Sequence, residues 1–286
     1  MTQLKQIPLA LACQLASLFA DLPQVEAVAL GGSQVGDSPD ATSDIDLYVY
    51  TLGDIPMDER QSIVDQSGGA SQANLGLTFW GPGDEWFNAQ SGIEVDLVYF
   101  DTRWMEDQIN QVLHDHQASL GYSTCFWYTI QHAQVLHDPG GWFQSLQEQC
   151  QGSYPEALRH NIIAFNHPVL RNIIPSYTYQ ITKAIKRRDR VSINHRLASL
   201  LASYFDVIFA INRTPHPGEK RLVSTALAHC EKLPVDMAPD IAAVLQAAAN
   251  PDPNLIALLT RLLDRLDQLL LEEGFDPHMM KPGRVT

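Results

Sequence analysis

Positive charge is nearly missing from the first half of this chain. Across 286 residues, Lys5, Arg60 and Arg103 are the only Lys or Arg before Arg159, and the other sixteen of the 19 follow it. Set against 33 Asp and Glu, this leaves a net charge of −14, which argues against non-specific nucleic-acid binding, since that depends on an excess of cations. Cysteine is scarce as well. Cys13, Cys125, Cys150 and Cys230 are scattered and form no C-x-x-C pair, so neither a disulfide framework nor a zinc site is expected. No apolar run is long enough to span a bilayer, and the N-terminus has no basic stretch followed by an apolar segment and a cleavage site. A soluble, cytoplasmic protein without membrane association is the expectation. No internal repeat or low-complexity tract is visible, although Ala242–Asn250 is rich in alanine.

What is present centres on two short stretches. Val25–Leu30 (VEAVAL) is an apolar run with β-branched residues and predicts a buried strand. It leads into Gly31-Gly32-Ser33, where small side chains let the backbone approach a bound group and where N–H groups and the Ser33 hydroxyl can donate to phosphate oxygens. Asp44–Tyr50 (DIDLYVY) predicts a second strand in strict alternation. Ile45, Leu47 and Val49 face a core, while Asp44 and Asp46 lie side by side on the other face. Two carboxylates so placed repel one another unless a cation lies between them. Oxygen-only ligands suit Mg²⁺, which is commonly held by one or two carboxylates together with substrate phosphates. A further strand, Ile93–Phe100, carries Asp96 among apolar neighbours, with Glu94 on the same face.

The set Gly32-Ser33, Asp44-x-Asp46 and a later strand Asp96 resembles the nucleotidyltransferase fold of the DNA polymerase beta superfamily. Within it, the pattern is most similar to the small bacterial nucleotidyltransferases, a group that includes the aminoglycoside and lincosamide adenylyltransferases. Each piece alone is no more than a Gly-Ser turn, an exposed Asp pair or an isolated strand Asp. Their order, spacing and strand context together make the pattern specific. The resemblance implies that Asp44 and Asp46 bridge two Mg²⁺ ions and that Asp96 holds the catalytic one and can accept the acceptor's proton. It also implies that Gly32 and Ser33 hold the β- and γ-phosphates of ATP or another nucleoside triphosphate. Glu94 is the second candidate for the base, against the plainer reading of a solvent-facing strand residue.

Around these motifs the sequence predicts a helix over 8–20, a polar loop over 34–42, a helix over 56–66 and a strand over 75–80. A long Gly-bounded connection over 81–92 and an amphipathic helix over 102–116 follow. Residues 126–135 read equally as helix or strand. Ser153-Tyr154-Pro155-Glu156 has the spacing of a capping box with a proline in the first turn. From there every signal is helical, over 155–166, 169–189, 192–211, 221–232, 236–249 and 253–273. The expected architecture is an α/β (α+β) nucleotidyltransferase domain with a short mixed sheet over 1–150, then an all-α helical bundle over 151–286 that binds substrate or nucleotide. Because the carboxylate-bearing half has so few cations, neutralising a triphosphate falls to metal and to the second half, which predicts an active site between the two.

Two basic stretches offer those cations. The first is the helix end Lys183–Arg190, whose charges also suit a helix C-terminus. Within it Lys183, one turn after Tyr179, is expected to point inward. The second is Ile211–Arg221, where two prolines and a glycine place Lys220 and Arg221 at the start of the next helix, a position that favours a bound anion. This segment also looks like the helical domain of an uncharacterised branch of bacterial nucleotidyltransferase-like proteins. The histidines make poor chelates: His114 and His116 diverge on a helix, and His160 and His167 flank a predicted helix end. Trp80, Trp86, Phe87, Trp104 and Trp127 are candidates for stacking on a base or substrate ring, with core packing the ordinary alternative. Of these, Trp86 and Phe87 stand beside the expected site. Adenylyl transfer to a hydroxyl of a small-molecule acceptor is the function these readings favour. A protein-modifying adenylyltransferase and a catalytically silent nucleotide sensor are the alternatives. Acceptor identity, base preference and oligomeric state are not encoded in any motif.

Overall fold

A computed structural model describes residues 6–31, 44–79, 81–250 and 253–277. Gly32, Ser33 and Trp80 lie outside these described residues. The chain opens with α1 (Gln6–Ala20), β1 (Val25–Leu30), β2 (Ile45–Thr51) and α2 (Met57–Gln66). A hairpin of β3 (Ala70–Leu77) and β4 (Gly83–Asn88) leads to β5 (Glu94–Asp101) and α3 (Thr102–Leu113). Then come α4 (Cys125–His132), β6 (Gln134–His137) and α5 (Trp142–Cys150). The elements that follow among the described residues are helices: α6 (Glu156–Arg171), α7 (Tyr177–Arg187), α8 (Arg190–Ile211), α9 (Leu222–His229), α10 (Met237–Ala249) and α11 (Pro253–Glu272). The chain divides into two compact units, one of residues 1–109 and 129–152, the other of residues 110–128 and 153–286. No helix among the described residues is long and apolar enough to cross a membrane.

The first unit is built on a six-stranded mixed sheet in the order β3-β4-β5-β2-β1-β6. Among the described residues β2 and β5 run parallel and the other neighbouring pairs are antiparallel. Alternation decides the faces. Ile45, Leu47 and Val49 of β2 and Val95 and Leu97 of β5 are completely or almost completely buried, packed with Leu11, Leu15 and Phe19 of α1 and Ile63 and Val64 of α2. Each such side chain withdrawn from water contributes about 1.5–3 kcal/mol. This core leaves the intervening residues of β2 and β5 to the opposite face.

The structure departs from the sequence expectation at the β3–β4 hairpin. The third strand runs over Ala70–Leu77 rather than 75–80, and Gly83–Asn88, expected as part of a loop, is β4. The reason is a polar interior. Asp84 is almost fully buried. It accepts hydrogen bonds from the Tyr99 hydroxyl at 2.6 Å and the Gly76 amide at 2.7 Å, and Arg60 lies 3.5 Å from it. A buried carboxylate is tolerated where a cation and donors surround it. Gly83 is required by close approach, because a Cβ there would come within 2.6 Å of the Leu97 carbonyl oxygen.

The helical unit is organised by α8. Every residue from Ala202 to Ile211 is buried, the mark of a helix surrounded on all sides. Asp189 caps its start by accepting from the Ser192 amide, and Ser176 caps α7 through the Tyr179 amide. At α6 the expected capping box does not form: Pro155 occupies the cap position and no side chain caps the helix. Pro168 lies inside α6 near its end, so the helix runs through the predicted break between 166 and 169. In α11, Leu255, Leu259, Leu262, Leu266 and Leu270 are buried at three- to four-residue spacing.

Candidate active site

Parallel pairing sets the carboxylates. In the β2–β5 ladder Asp46 stands directly opposite Asp96, and neighbouring strands lie roughly 4.8 Å apart. Both side chains emerge on the face away from the α1–α2 core, because Ile45, Leu47, Val95 and Leu97 claim the other one. Asp44, just before β2, shares the parity of Asp46, and both are half-buried. The row extends one strand further. Glu85 of β4 is the register partner of Asp96 across the antiparallel β4–β5 pair and is also half-buried. Sequence reasoning missed Glu85, since only the β4–β5 register places it there. Glu94 is exposed at the first residue of β5, as its solvent-facing reading had it.

Tyr48 belongs to the same face, two residues after Asp46, and the alternation that singled out the aspartates contains it too. Burial pushes the Tyr48 hydroxyl well above its ordinary range, and the negative charges of Asp46 and Asp96 push it further. It therefore stays a neutral donor. Gly31 follows β1, and its amide donates to the Asp46 carbonyl at 2.9 Å. Behind Tyr48 lies an aromatic layer. Phe100 of β5 packs against the Tyr48 and Tyr50 rings, and Trp104 stacks flat on Phe100 at 5.7 Å. Asp101 accepts from the Trp104 amide at 2.9 Å and so starts α3 at the end of β5.

The donor set fits Mg²⁺ in kind, being carboxylate oxygen alone. Among the described residues no three His, Cys, Asp or Glu side chains gather closely enough to enclose a metal ion unaided. A site of two facing carboxylates needs phosphate oxygens to complete the shell, as Mg²⁺ bound with a nucleotide supplies. The stacking candidates separate cleanly. Trp86 and Trp127 are core residues, whereas Phe87 and Trp104 are exposed; Phe87 shares the face of Glu85, two residues before it on β4.

The cationic candidates belong to the helical unit. Lys183 does not point inward. It is exposed, with its ammonium 4.4 Å from the centre of the half-exposed Tyr179 ring, a contact that holds it at the surface of α7. Lys220 and Arg221 are exposed at the entrance of α9, as the prolines and glycine imply, and Arg221 takes the cap position in the left-handed region, φ 57°. The segment leading to them is fixed from within. The Asn212 side chain both donates to the Lys232 carbonyl and accepts from the Lys232 amide, each at 2.8 Å. His216 is fully buried. Its amide donates to the Thr124 hydroxyl at 2.7 Å, and its Nδ1 accepts from the Gly218 amide at 3.1 Å. Burial pulls the His216 imidazole down to about 4, so the ring is neutral and keeps Nδ1 free to accept.

Residues 125–222, which span α4 to the start of α9, match a protein family described as a domain of unknown function, DUF4037. No protein of curated function matches the chain in sequence. Among solved structures, a nucleotidyltransferase-like protein from Exiguobacterium sibiricum 255-15 is similar at 12% identity and a TM-score of 0.41. The likeness covers 90% of this chain and 72% of that one.

Proposed function

We propose that this chain is a Mg²⁺-dependent nucleotidyltransferase. It moves a nucleoside monophosphate, most simply AMP from ATP, to a hydroxyl of a small-molecule acceptor and releases pyrophosphate. The observation that carries this reading is the Asp46–Asp96 register in the parallel β2–β5 pair, with Asp44 on the same face and Gly31 at the end of the neighbouring strand. In this reading Asp44, Asp46 and Asp96 would hold Mg²⁺ together with phosphate oxygens, and the ion would neutralise the phosphates and activate the acceptor oxygen. Asp96 takes the proton of the acceptor hydroxyl. That oxygen forms its bond to the α-phosphorus as the bond to the β-phosphate oxygen breaks, and the electron pair leaves with pyrophosphate. Gly32 and Ser33 bind the β- and γ-phosphates, with Lys183 and Lys220 as the candidate cations. No protein nucleophile is needed, because positioning and electrostatics carry a transfer of this kind.

Calorimetric titration tests the reading. The full chain and the Asp44→Ala/Asp46→Ala variant are titrated with nucleoside triphosphates whose α,β-bridge resists cleavage, in Mg²⁺ and then in EDTA. Binding of one nucleotide that requires Mg²⁺ and vanishes in the double variant is expected. Absence of binding in every condition overturns the transferase reading, and Mg²⁺-independent binding that survives the substitutions favours a nucleotide sensor instead.

A further inference from the structure

In the helical unit, α9 and α10 each pack on α8 more than on one another, and the wedge between them stays open. The sequence of α9 sets this up. It buries Ala226, a side chain too short to close the gap, while Leu222 and Leu227 flank it. The result is a groove of about 460 Å³, within the range of roughly 300–1,000 Å³ for sites that take small ligands. Leu201 and Phe205 of α8 form its floor, Leu222 and Leu227 one wall, and Ile241 and Leu245 of α10 the other. The rim residues Leu227 and Leu245 are 57% and 51% exposed, apolar surface that favours a covering group. From Leu222 to Leu227 the wall runs about 7.5 Å along the helix.

The charge on this groove has one sign. Arg221, exposed at the start of α9, lines it. Among the described residues its guanidinium has no ion-pair partner, whereas Arg213, Arg261 and Arg265 are each tied to a carboxylate. Glu219 and Lys220, just before it, offset one another. The neighbouring polar groups are engaged elsewhere. The Ser224 hydroxyl donates to the Arg221 carbonyl at 2.9 Å, and Asp240, which precedes Ile241, is buried between Arg261 and Arg265. Independently of the transferase reading, we propose that this groove binds an amphipathic anion: a short alkyl or acyl chain lies between α9 and α10, and its carboxylate or phosphate pairs with Arg221. Withdrawal of the chain from water onto the leucines supplies affinity. The planar guanidinium supplies selection by sign, since its fork matches carboxylate and phosphate oxygens alike. A cationic amphiphile of the same length meets the same walls with a like charge at their end.

The test is calorimetric titration of the full chain with octanoate, octyl phosphate and octyltrimethylammonium, each below the concentration at which it forms micelles. Inorganic phosphate is the control for the head group alone. Both amphipathic anions are expected to bind, with the ammonium and inorganic phosphate at least about tenfold weaker; the tighter of the two anions identifies the head group. Two variants locate the site, with the thermal midpoint as fold control. Arg221→Asn removes the charge and tolerates the left-handed backbone, and Leu227→Asn alters a side chain already more than half exposed. Each is expected to weaken anion binding by about tenfold. Absence of binding by both anions overturns the proposal, as does equal binding of the ammonium or of inorganic phosphate. Wild-type affinity in either variant overturns it too, because the ligand then lies elsewhere or without its partner.

Discussion

The Asp206 carboxylate and the Ser123 hydroxyl lie 2.6 Å apart in the interior of the helical unit, joined across 83 residues of chain. Asn166 adds a second donor to the same oxygen at 2.9 Å and uses its own carbonyl to accept from the Gly121 amide at 2.9 Å. One buried aspartate therefore ties the loop before α4 to both α6 and α8. Ser123 and Asn166 are both neutral, so hydrogen-bond donors compensate for the removal of Asp206 from water.

That environment makes a pH prediction. Burial raises the Asp206 carboxyl to about 7, while the Ser123 and Asn166 hydrogen bonds oppose the rise. Between about pH 4 and 7 the folded state keeps a proton that the unfolded chain, with an ordinary carboxyl, releases. Stability from this group is complete at the acid end and is lost as pH rises through 7. The full effect is of order 4 kcal/mol. Asp206→Asn is expected to flatten the fall in thermal midpoint between pH 5 and pH 8. Parallel profiles for variant and wild type would show that Asp206 does not titrate in this window.

His216 works in the opposite direction. Its folded value near 4 lies below that of a free histidine, so protonation favours unfolding. Its contribution is present above about pH 6.5 and is lost as pH falls through 4. His216→Phe fits between the Tyr122 and Phe209 rings that flank the imidazole. It forfeits the Gly218 hydrogen bond, about 1 kcal/mol. The variant should be slightly less stable at pH 7.5 yet lose less stability between pH 6.5 and 4.5, which a denaturation series resolves.

Arg60 balances the buried Asp84 and also lies over the Tyr99 ring, 4.3 Å from its centre. Removing one partner of a buried pair strands the other, at about 3–5 kcal/mol. Arg60→Ala should lower stability by that amount in urea denaturation. Asp84→Asn, which removes the charge and keeps an acceptor for Tyr99, should cost less. Equal costs for the two variants would contradict a dominant role for the stranded charge.

The Asp46–Asp96 pair gives a prediction about stability without metal. Directly opposed like charges across a ladder cost roughly 0.2–1 kcal/mol. In EDTA, Asp96→Asn should match or exceed the wild-type thermal midpoint. Adding Mg²⁺ with the uncleavable ATP analogue should raise the midpoint of wild type only, by mass action on the folded state. A variant that responds as wild type does would remove Asp96 from the metal-binding set.

The two halves of the chain were legible to different degrees. Periodicity located β1, β2, β5 and most helices from α6 onward, because their buried faces are apolar and their spacing is regular. The β3–β4 hairpin escaped because its inward residues include Asp84 and Asn88, both buried, and glycines at 81, 83 and 92 read as loop. Ser153 failed as a cap because Pro155 already occupies the turn. Of the site residues, Asp44, Asp46 and Asp96 follow from motif and alternation. Glu85 does not, since a register between two strands is a tertiary fact. The surface position of Lys183 was missed because helical spacing from Tyr179 fixes which residues meet but not whether they face solvent or interior. Gly32 and Ser33 lie outside the described residues.

The parallel β2–β5 pair also bears on how the chain acquires its chemistry. Asp46 and Asp96 are fifty positions apart, with α2, β3 and β4 between them, and parallel strands cannot be joined by a hairpin. Contacts of such long sequence separation form late, after the loop-closure entropy of the intervening segment has been met. The carboxylate row is then among the last parts of the sheet to exist. A nascent or partly unfolded chain would hold its aspartates far apart, with little capacity to capture Mg²⁺ and nucleotide before the sheet is whole.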